Sequence, residues 1–196
     1  MGKRKKILME QSLVPPVGLQ LIQDAITPEH HDYLVTIIDQ QPWLTDLRRR
    51  VQHYGYRYDY KSRSVDASQF LGPLPDWSMP FLEQLQQAGF IEQLPDQLIV
   101  NEYEPGQGIS PHIDCRPCFG DVIFSLTLGS TCIMEFTHAE EKIPLFLEPR
   151  SVLIMQGEAR RVWKHAIPGR KTDAYAGKSF ERKRRISLTF RNIVLQ

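Results

Sequence analysis

The feature that most constrains the fold of this 196-residue chain is the pattern of apolar and turn residues in its second half. After residue 95 the sequence divides into short apolar runs rich in β-branched and aromatic residues, and glycine or proline separates them. Short strands between turn residues are typical of all-β barrels and double-sheet sandwiches. The sequence therefore predicts a C-terminal β-core with strands at 98–103, 122–128, 132–136, 143–147, 151–155 and 186–194.

The first half has a different pattern. Apolar residues fall on one helical face in segments 28–43 and 79–90, and Pro28 suits the first turn of a helix. Between them, residues 51–60 alternate strictly, which predicts a strand with Tyr54, Tyr56, Tyr58 and Tyr60 on one side. No linker separates the halves. We predict one domain over 1–196, mostly β with N-terminal helices, in which 1–95 form a helical and mixed layer and 96–196 the β-core.

Composition excludes several classes of protein. A hydrophobic fraction of 41% and a charged fraction of 24% are typical of soluble globular chains, and no apolar run is long enough to span a bilayer. The basic start lacks the apolar segment of a signal peptide, so we expect a cytoplasmic monomer, or a nuclear one in a eukaryote, with no membrane association. Three cysteines cannot form a disulfide scaffold, and we expect Cys115 and Cys118 to be reduced thiols.

Charge is balanced overall at +1 but unevenly placed. Residues 48–63 carry six basic residues and one acidic residue, and residues 158–191 carry eleven basic residues and three acidic ones. Two such segments could form a basic face for a phosphate-bearing partner. They could equally be two solvated surfaces, and charge alone leaves both interpretations open.

A possible metal site lies in segment 110–115. His112 and Asp114 are two residues apart, so on an extended strand their side chains would point to the same face. A further histidine, for which His165 is the candidate, would complete two imidazoles and one carboxylate. That facial set leaves coordination positions open and suits non-haem Fe(II) in oxygen chemistry. Alone, the His-x-Asp pair is a weak signal, because it is also common as a surface hydrogen bond.

The last predicted strand has apolar side chains on one face and polar or charged side chains on the other. Ile186, Leu188 and Phe190 point one way, into a core, whereas Arg185 and Arg191 point the other way together with a serine and a threonine. Two guanidinium groups inside a fold need anions, because an unpaired buried charge is very costly. A small dicarboxylate would supply one anion for each arginine. The alternative is an exposed edge strand with solvated arginines.

Taken in order, these motifs resemble the AlkB family of Fe(II)- and 2-oxoglutarate-dependent dioxygenases. The resemblance runs from about residue 98 to 194 and rests on 101–109 (NEYEPGQGI), His112-x-Asp114, His165 and Arg185-x5-Arg191.

This resemblance implies a double-stranded β-helix (jelly-roll) core, with Fe(II), 2-oxoglutarate and O2 as cofactor and cosubstrates. It makes His112, Asp114 and His165 the iron ligands. It also implies that Arg185 and Tyr103 hold the distal carboxylate of 2-oxoglutarate, and that Arg191 and Asn101 serve the end that chelates iron. Oxidation of 2-oxoglutarate to succinate and CO2 would then drive hydroxylation of a substrate C–H bond, with loss of a methyl group where the carbon is bonded to nitrogen.

Family members commonly act on nucleobases beneath a basic N-terminal lid, which would here be 1–95. Candidate substrate contacts are Arg48, Arg49, Arg50, Tyr54, Tyr56 and Arg116, although the tyrosines could simply be the packed face of a strand.

Two departures bear on specificity. Arg116 stands where repair members often have an acid, and Ser187 where they tend to have Asn. The residues at 49–56 and 106–114 most resemble those of the tRNA wobble-uridine hydroxylase branch. We therefore favour modification of RNA or tRNA bases, by hydroxylation or demethylation. The alternatives are oxidative repair of alkylated DNA, the same chemistry on a protein or small molecule, and a non-catalytic jelly-roll binding module.

Overall fold

A computed structural model describes residues 14–60, 62 and 64–195 of the chain. Its larger sheet has six antiparallel strands in the order β1-β8-β5-β12-β3-β2. This order places β12, the arginine-bearing strand, between β5 and β3 at the centre of the sheet. The strands are β1 (Leu19–Ile22), β2 (Val51–Tyr54), β3 (Gln97–Tyr103), β5 (Phe119–Gly129), β8 (Val152–Met155) and β12 (Arg185–Ile193).

A second antiparallel sheet has the order β4-β9-β6-β7. It comprises β4 (Ile109–His112), β6 (Cys132–His138), β7 (Glu141–Leu147) and β9 (Lys164–Ile167). Residues from both sheets, among them Tyr103, Ile123, Phe136 and Leu153, form one buried apolar cluster. Two antiparallel sheets around a shared core confirm the predicted jelly-roll. Strands β10 (Thr172–Tyr175) and β11 (Lys178–Glu181) form a separate hairpin that we did not predict.

Two helices cover the outer face of the larger sheet. Thr27 caps α1 (Pro28–Asp39) by accepting a hydrogen bond from the His30 backbone amide. The buried apolar residues of α1 and of α2 (Met79–Gln87) pack in one cluster with Leu188 and Phe190 of β12. Both helices therefore lie within the segments that the periodicity indicates. A third, short helix, α3 (Gly157–Arg161), precedes β9. Among the described residues, no helix has the length and apolar character needed to cross a membrane.

The structure of strand β12 confirms the predicted apolar face and polar face. Its apolar side chains face the helices, whereas Arg185 and Arg191 are only 2% and 9% exposed. The alternative of an exposed edge strand is therefore wrong. Both arginines lie on the polar face of a central strand, where their charges require partners.

The predicted strand over 51–60 is wrong beyond Tyr54. Gly55 has φ +76° and approaches the Asp96 carbonyl so closely that a Cβ atom there would lie 1.8 Å from the oxygen. The chain turns at this glycine. Tyr54 consequently packs with Trp77 in the helix-side cluster, whereas Tyr56 and Tyr58 pack with the inner cluster. The tyrosines therefore do not form one face.

Candidate metal and 2-oxoglutarate site

The three candidate metal ligands converge at one end of the smaller sheet. His112 at the end of β4 is the direct cross-strand partner of His165 in β9, and their ring centroids are 4.4 Å apart. Asp114 lies two residues beyond the end of β4. One potential ligand atom from each residue lies within 4.8 Å of the others. The histidines meet through strand pairing across 53 residues of sequence, which the spacing alone could not establish.

The local environment favours the protonation states that a metal needs. His112 Nδ1 lies 2.8 Å from the Ser110 carbonyl, so Nδ1 donates and Nε2 is left to bind a metal. Burial lowers the pKa of His165 to about 4, which keeps that imidazole neutral. Burial alone would raise the pKa of Asp114, but the charge of Arg191 holds it well below 3.8. Two imidazoles and a carboxylate match the facial donor set of Fe(II) oxygenases.

Arg191 adjoins this metal group. It donates from Nε and Nη2 to Asp114 Oδ2 at 3.3 and 3.2 Å, and from Nη1 to Gln97 at 3.4 Å. Asn101 lies nearby on β3, where its Oδ1 accepts a hydrogen bond from Arg49 Nε at 2.8 Å. The metal end of the site thus has its charges compensated within the protein.

Arg185, at the other end of the polar face of β12, has far fewer partners. Its Nη2 donates to Thr127 Oγ1 at 2.9 Å, but Nε and Nη1 are buried without a hydrogen-bond partner among the residues that the structure describes. Strand register places Tyr103 directly opposite, with the guanidinium carbon 5.7 Å from the ring centroid. A buried cation with two unused donors fits the distal carboxylate of a dicarboxylic acid such as 2-oxoglutarate.

Aromatic and basic residues from the N-terminal half lie beside the metal end. The guanidinium carbon of Arg49 is 5.9 Å from the ring centroids of both Tyr60 and Tyr103. Tyr60 contacts Tyr58 edge to face at 5.1 Å, and Tyr58 lies 5.4 Å from Phe119. Because Tyr60 is 38% exposed, this group forms a partly open aromatic wall. We call Arg49, Tyr58 and Tyr60 the lid cluster.

The other predicted substrate contacts are not part of the lid cluster. Arg50 forms a bidentate pair with the buried Glu102 and lies over Trp43, so its role is in folding. Tyr54 is on the helix side of the sheet. Arg48 is exposed, and Arg116 is exposed with its Nη2 donating to the Arg161 carbonyl. Tyr56 packs against Phe70 at 5.0 Å. Lys61 and Arg63, part of the predicted basic segment, lie outside the described residues.

Sequence reasoning missed several residues of this site. Thr127 and Gln97 have no motif of their own, although the alternation of β5 and β3 could have suggested inward-facing polar groups. Tyr58 and Tyr60 belong to the predicted set of alternating tyrosines but were not among the candidate substrate contacts. The expected reduced thiols are wrong: Cys115 and Cys118 form a disulfide directly after Asp114. A three-residue spacing permits such a bond but does not require it.

Comparison with known proteins agrees with the fold and with the class of protein. The model of the 2OG-Fe(II) oxygenase superfamily matches residues 19–191, so the chain belongs to that superfamily. Within it, the chain is an AlkB-family member and a dioxygenase that uses Fe(II), 2-oxoglutarate and O2. The predicted family, enzyme class and cofactors are thereby confirmed.

Three similar proteins show the extent of the match. An Acanthamoeba polyphaga mimivirus protein named "Uncharacterized protein L905" is 39% identical over 90% of this chain and 85% of its own. The "Alkylated DNA repair protein ALKBH8 homolog" of Arabidopsis thaliana is 40% identical over 90% of this chain. The "tRNA (carboxymethyluridine(34)-5-O)-methyltransferase alkbh8" of Xenopus tropicalis is 40% identical over 86% of it. The chain spans 58% of the plant protein and 28% of the frog protein.

Solved structures support the fold. The structure of OsALKBH1 superposes with a TM-score of 0.69 at 20% identity, covering 92% of this chain and 98% of that one. A Pseudomonas putida prolyl-4-hydroxylase gives a TM-score of 0.56 at 14% identity, covering 89% and 92%. At these identities the likeness concerns the fold alone.

Proposed function

We propose that this chain hydroxylates or oxidatively demethylates modified nucleobases, with RNA or tRNA as the favoured substrate. The observation that carries this proposal is the lid cluster beside the metal group, in which the Arg49 guanidinium carbon lies 5.9 Å from the centroid of the partly exposed Tyr60 ring. Partly open aromatic faces with an adjacent guanidinium suit an unstacked base and its phosphate. The names of the plant and frog relatives both refer to nucleic acid.

The roles of the site residues follow from their positions. His112, Asp114 and His165 would hold Fe(II). Bound iron and 2-oxoglutarate would supply the oxidising power for attack on a C–H bond. Residues 1–196 would act as one catalytic domain.

The two ends of the β12 polar face would orient the cosubstrate. Arg185, with its two unused donors, and Tyr103 would bind the distal carboxylate. Arg191 and Asn101 would bind the keto-acid end next to the metal. Each arginine can present paired N–H donors, which would fix the plane of the carboxylate that it binds.

Arg116 supports a neutral base as the substrate. Arg116 lies two residues after Asp114, and its guanidinium donates a hydrogen bond to the Arg161 carbonyl. A fixed positive charge there would disfavour cationic methylated bases such as 1-methyladenine. For this reason we rank oxidative repair of alkylated DNA second. The name of the plant relative supports it as a candidate.

The test is succinate release from 2-oxoglutarate by iron-loaded protein with bulk tRNA, alkylated single-stranded DNA or no nucleic acid. We expect stimulation by tRNA. Binding to tRNA should weaken as salt rises, because phosphate contacts release counterions. Arg49→Gln should reduce tRNA binding several-fold, whereas Lys178→Gln on the distant hairpin should not. Absence of binding at low salt, or equal binding by the Arg49 variant and wild type, would contradict a nucleic-acid substrate.

A further inference from the structure

A third buried arginine lies close to the metal group and is not among the residues assigned above. Arg160 in α3 is 4% exposed. Its Nη1 donates to the main-chain carbonyl of Asp114 at 3.0 Å, and its Nη2 to that of Cys115 at 3.1 Å. A longer contact of 3.5 Å reaches the Phe119 carbonyl. One guanidinium thus contacts both ends of the loop that begins at Asp114.

These contacts are unusual for a buried cation. Burial lowers the pKa of Arg160 although the Asp114 charge opposes this, and among the residues that the structure describes its Nε is buried without a partner. Burying a guanidinium is costly, and carbonyl dipoles compensate it less than a carboxylate would. The guanidinium instead donates to backbone carbonyls at both ends of the 114–119 loop, which points to a role in fixing that loop.

The backbone at Asp114 needs support from outside its own strand. Strand β4 ends at His112, so strand pairing fixes the two histidines but does not extend to the aspartate. The direction of a carboxylate depends on the backbone that carries it, and outer hydrogen bonds commonly orient metal-binding carboxylates. Arg160 supplies such bonds to the main chain at Asp114 and at the next residue.

We propose that Arg160 is a positioning residue, which holds the Asp114 carboxylate in line with His112 and His165 by fixing the main chain of the 114–119 loop. It acts through Asp114 and contacts neither substrate nor cosubstrate. The adjacent disulfide between Cys115 and Cys118 closes the same loop. Arg160 and the disulfide thereby restrain the one metal ligand that lies outside a strand.

A simple electrostatic role predicts the opposite effect on metal binding. If Arg160 acted only as a nearby positive charge, its removal would strengthen the binding of a divalent cation, because like charges repel. If it positions Asp114, its removal weakens binding. The sign of the change therefore separates the two explanations.

The experiment titrates metal-free protein with Co²⁺ alone and follows both affinity and the visible absorption of the bound ion. Arg160→Met should weaken Co²⁺ binding about 10- to 100-fold, the usual cost of losing an outer-shell partner, and should alter the absorption spectrum. Arg160→Lys keeps the charge and some donors, so it should lose less. Arg161→Met is the matched control, because Arg161 is the next residue of α3, is 48% exposed and pairs with Asp121.

Unchanged or tighter Co²⁺ binding by folded Arg160→Met would overturn the proposal, as would an equal loss in Arg161→Met. Urea unfolding of each metal-free variant shows whether it is folded at the titration temperature. If Arg160→Met is unfolded, Arg160→Lys decides: weaker Co²⁺ binding than wild type with an altered spectrum supports the role, and wild-type binding overturns it.

Discussion

The two arginines of β12 share a strand and a face but have contrasting environments. Arg191 has Asp114 and Gln97 as partners, so its charge is compensated within the protein. Arg185 is more deeply buried and has Thr127 as its hydrogen-bond partner, with two nitrogen atoms unused. The charge at the Arg191 end is thus compensated by its neighbours, whereas the Arg185 end keeps two buried nitrogen atoms without a partner in the described part of the chain.

This contrast indicates which end selects the cosubstrate. At the metal end, iron would take over the Asp114 carboxylate, so binding there exchanges one set of interactions for another. At the Arg185 end, an incoming carboxylate satisfies donors that have no other partner, and its binding removes an existing cost. Selectivity for a dicarboxylate would therefore reside mainly at Arg185.

The largest expected effect is on 2-oxoglutarate binding by Arg185→Met. We expect the KM for 2-oxoglutarate to rise about 100-fold or more, since a buried charged hydrogen-bond partner is lost. Arg185→Lys should be intermediate, because an ammonium cannot make the bidentate contact. Succinate formation over a range of 2-oxoglutarate concentrations measures both. Arg150→Met, at an exposed pair with Asp24, is the control, and an equal rise there would contradict the assignment.

The second prediction concerns the stability of metal-free protein, where the two arginines should differ in sign. Arg185→Met should leave the free energy of unfolding unchanged or raise it by about 1 kcal/mol, because it removes an incompletely paired buried charge. Arg191→Met should lower it by about 3 kcal/mol, because Asp114 is left buried with its charge uncompensated. Urea unfolding in the presence of a chelator measures both values, and a loss of the same size in the two variants would remove the contrast.

The deficit of Arg191→Met should also depend on pH. The pKa of Asp114 is lower in the folded protein than its ordinary value of 3.8, so its ionised form stabilises the fold above that pH. This contribution is lost as the pH falls from 3.8 through the lower folded pKa. The difference between wild type and Arg191→Met should therefore shrink in acid, and a constant difference would contradict the pairing.

The smallest effect is expected for Thr127→Val, which keeps the shape of the side chain but removes the hydroxyl that fixes Arg185. One hydrogen bond contributes about 1 kcal/mol, so the KM for 2-oxoglutarate should rise about fivefold with little change in kcat. Ser125→Ala on the same strand is a matched control. A large fall in kcat would mean that Thr127 acts at the reacting end instead.

The sequence predicted most of the structure wherever local patterns sufficed. Periodicity located α1 and α2, the alternation of residues 185–191 assigned both faces of β12, and the motifs predicted candidate metal and cosubstrate residues. These features depend on the repeat of about 3.6 residues in helices, on the two-residue repeat of strands and on the chemistry of each residue type. All of these are visible in the sequence.

Other features depended on contacts between distant segments. The tyrosine strand ends because Gly55 must pass close to the backbone of Asp96, so only part of the aromatic set reaches the site. Arg50, which the basic run made a substrate candidate, is instead used by Glu102. The partners of a charged side chain are set by three-dimensional neighbours, and the sequence does not contain those distances.

The amino-acid sequence by itself thus determined the β-rich second half, the candidate metal donors and the presence of two inward-facing cations. Only the tertiary structure decided that His112 and His165 are cross-strand partners, that Arg191 is compensated while Arg185 is not, and that Arg160 supports the loop of Asp114. The physical reason is that residue type fixes which atoms can donate or bind a metal. Burial and pairing depend instead on the neighbours that the fold brings to each residue.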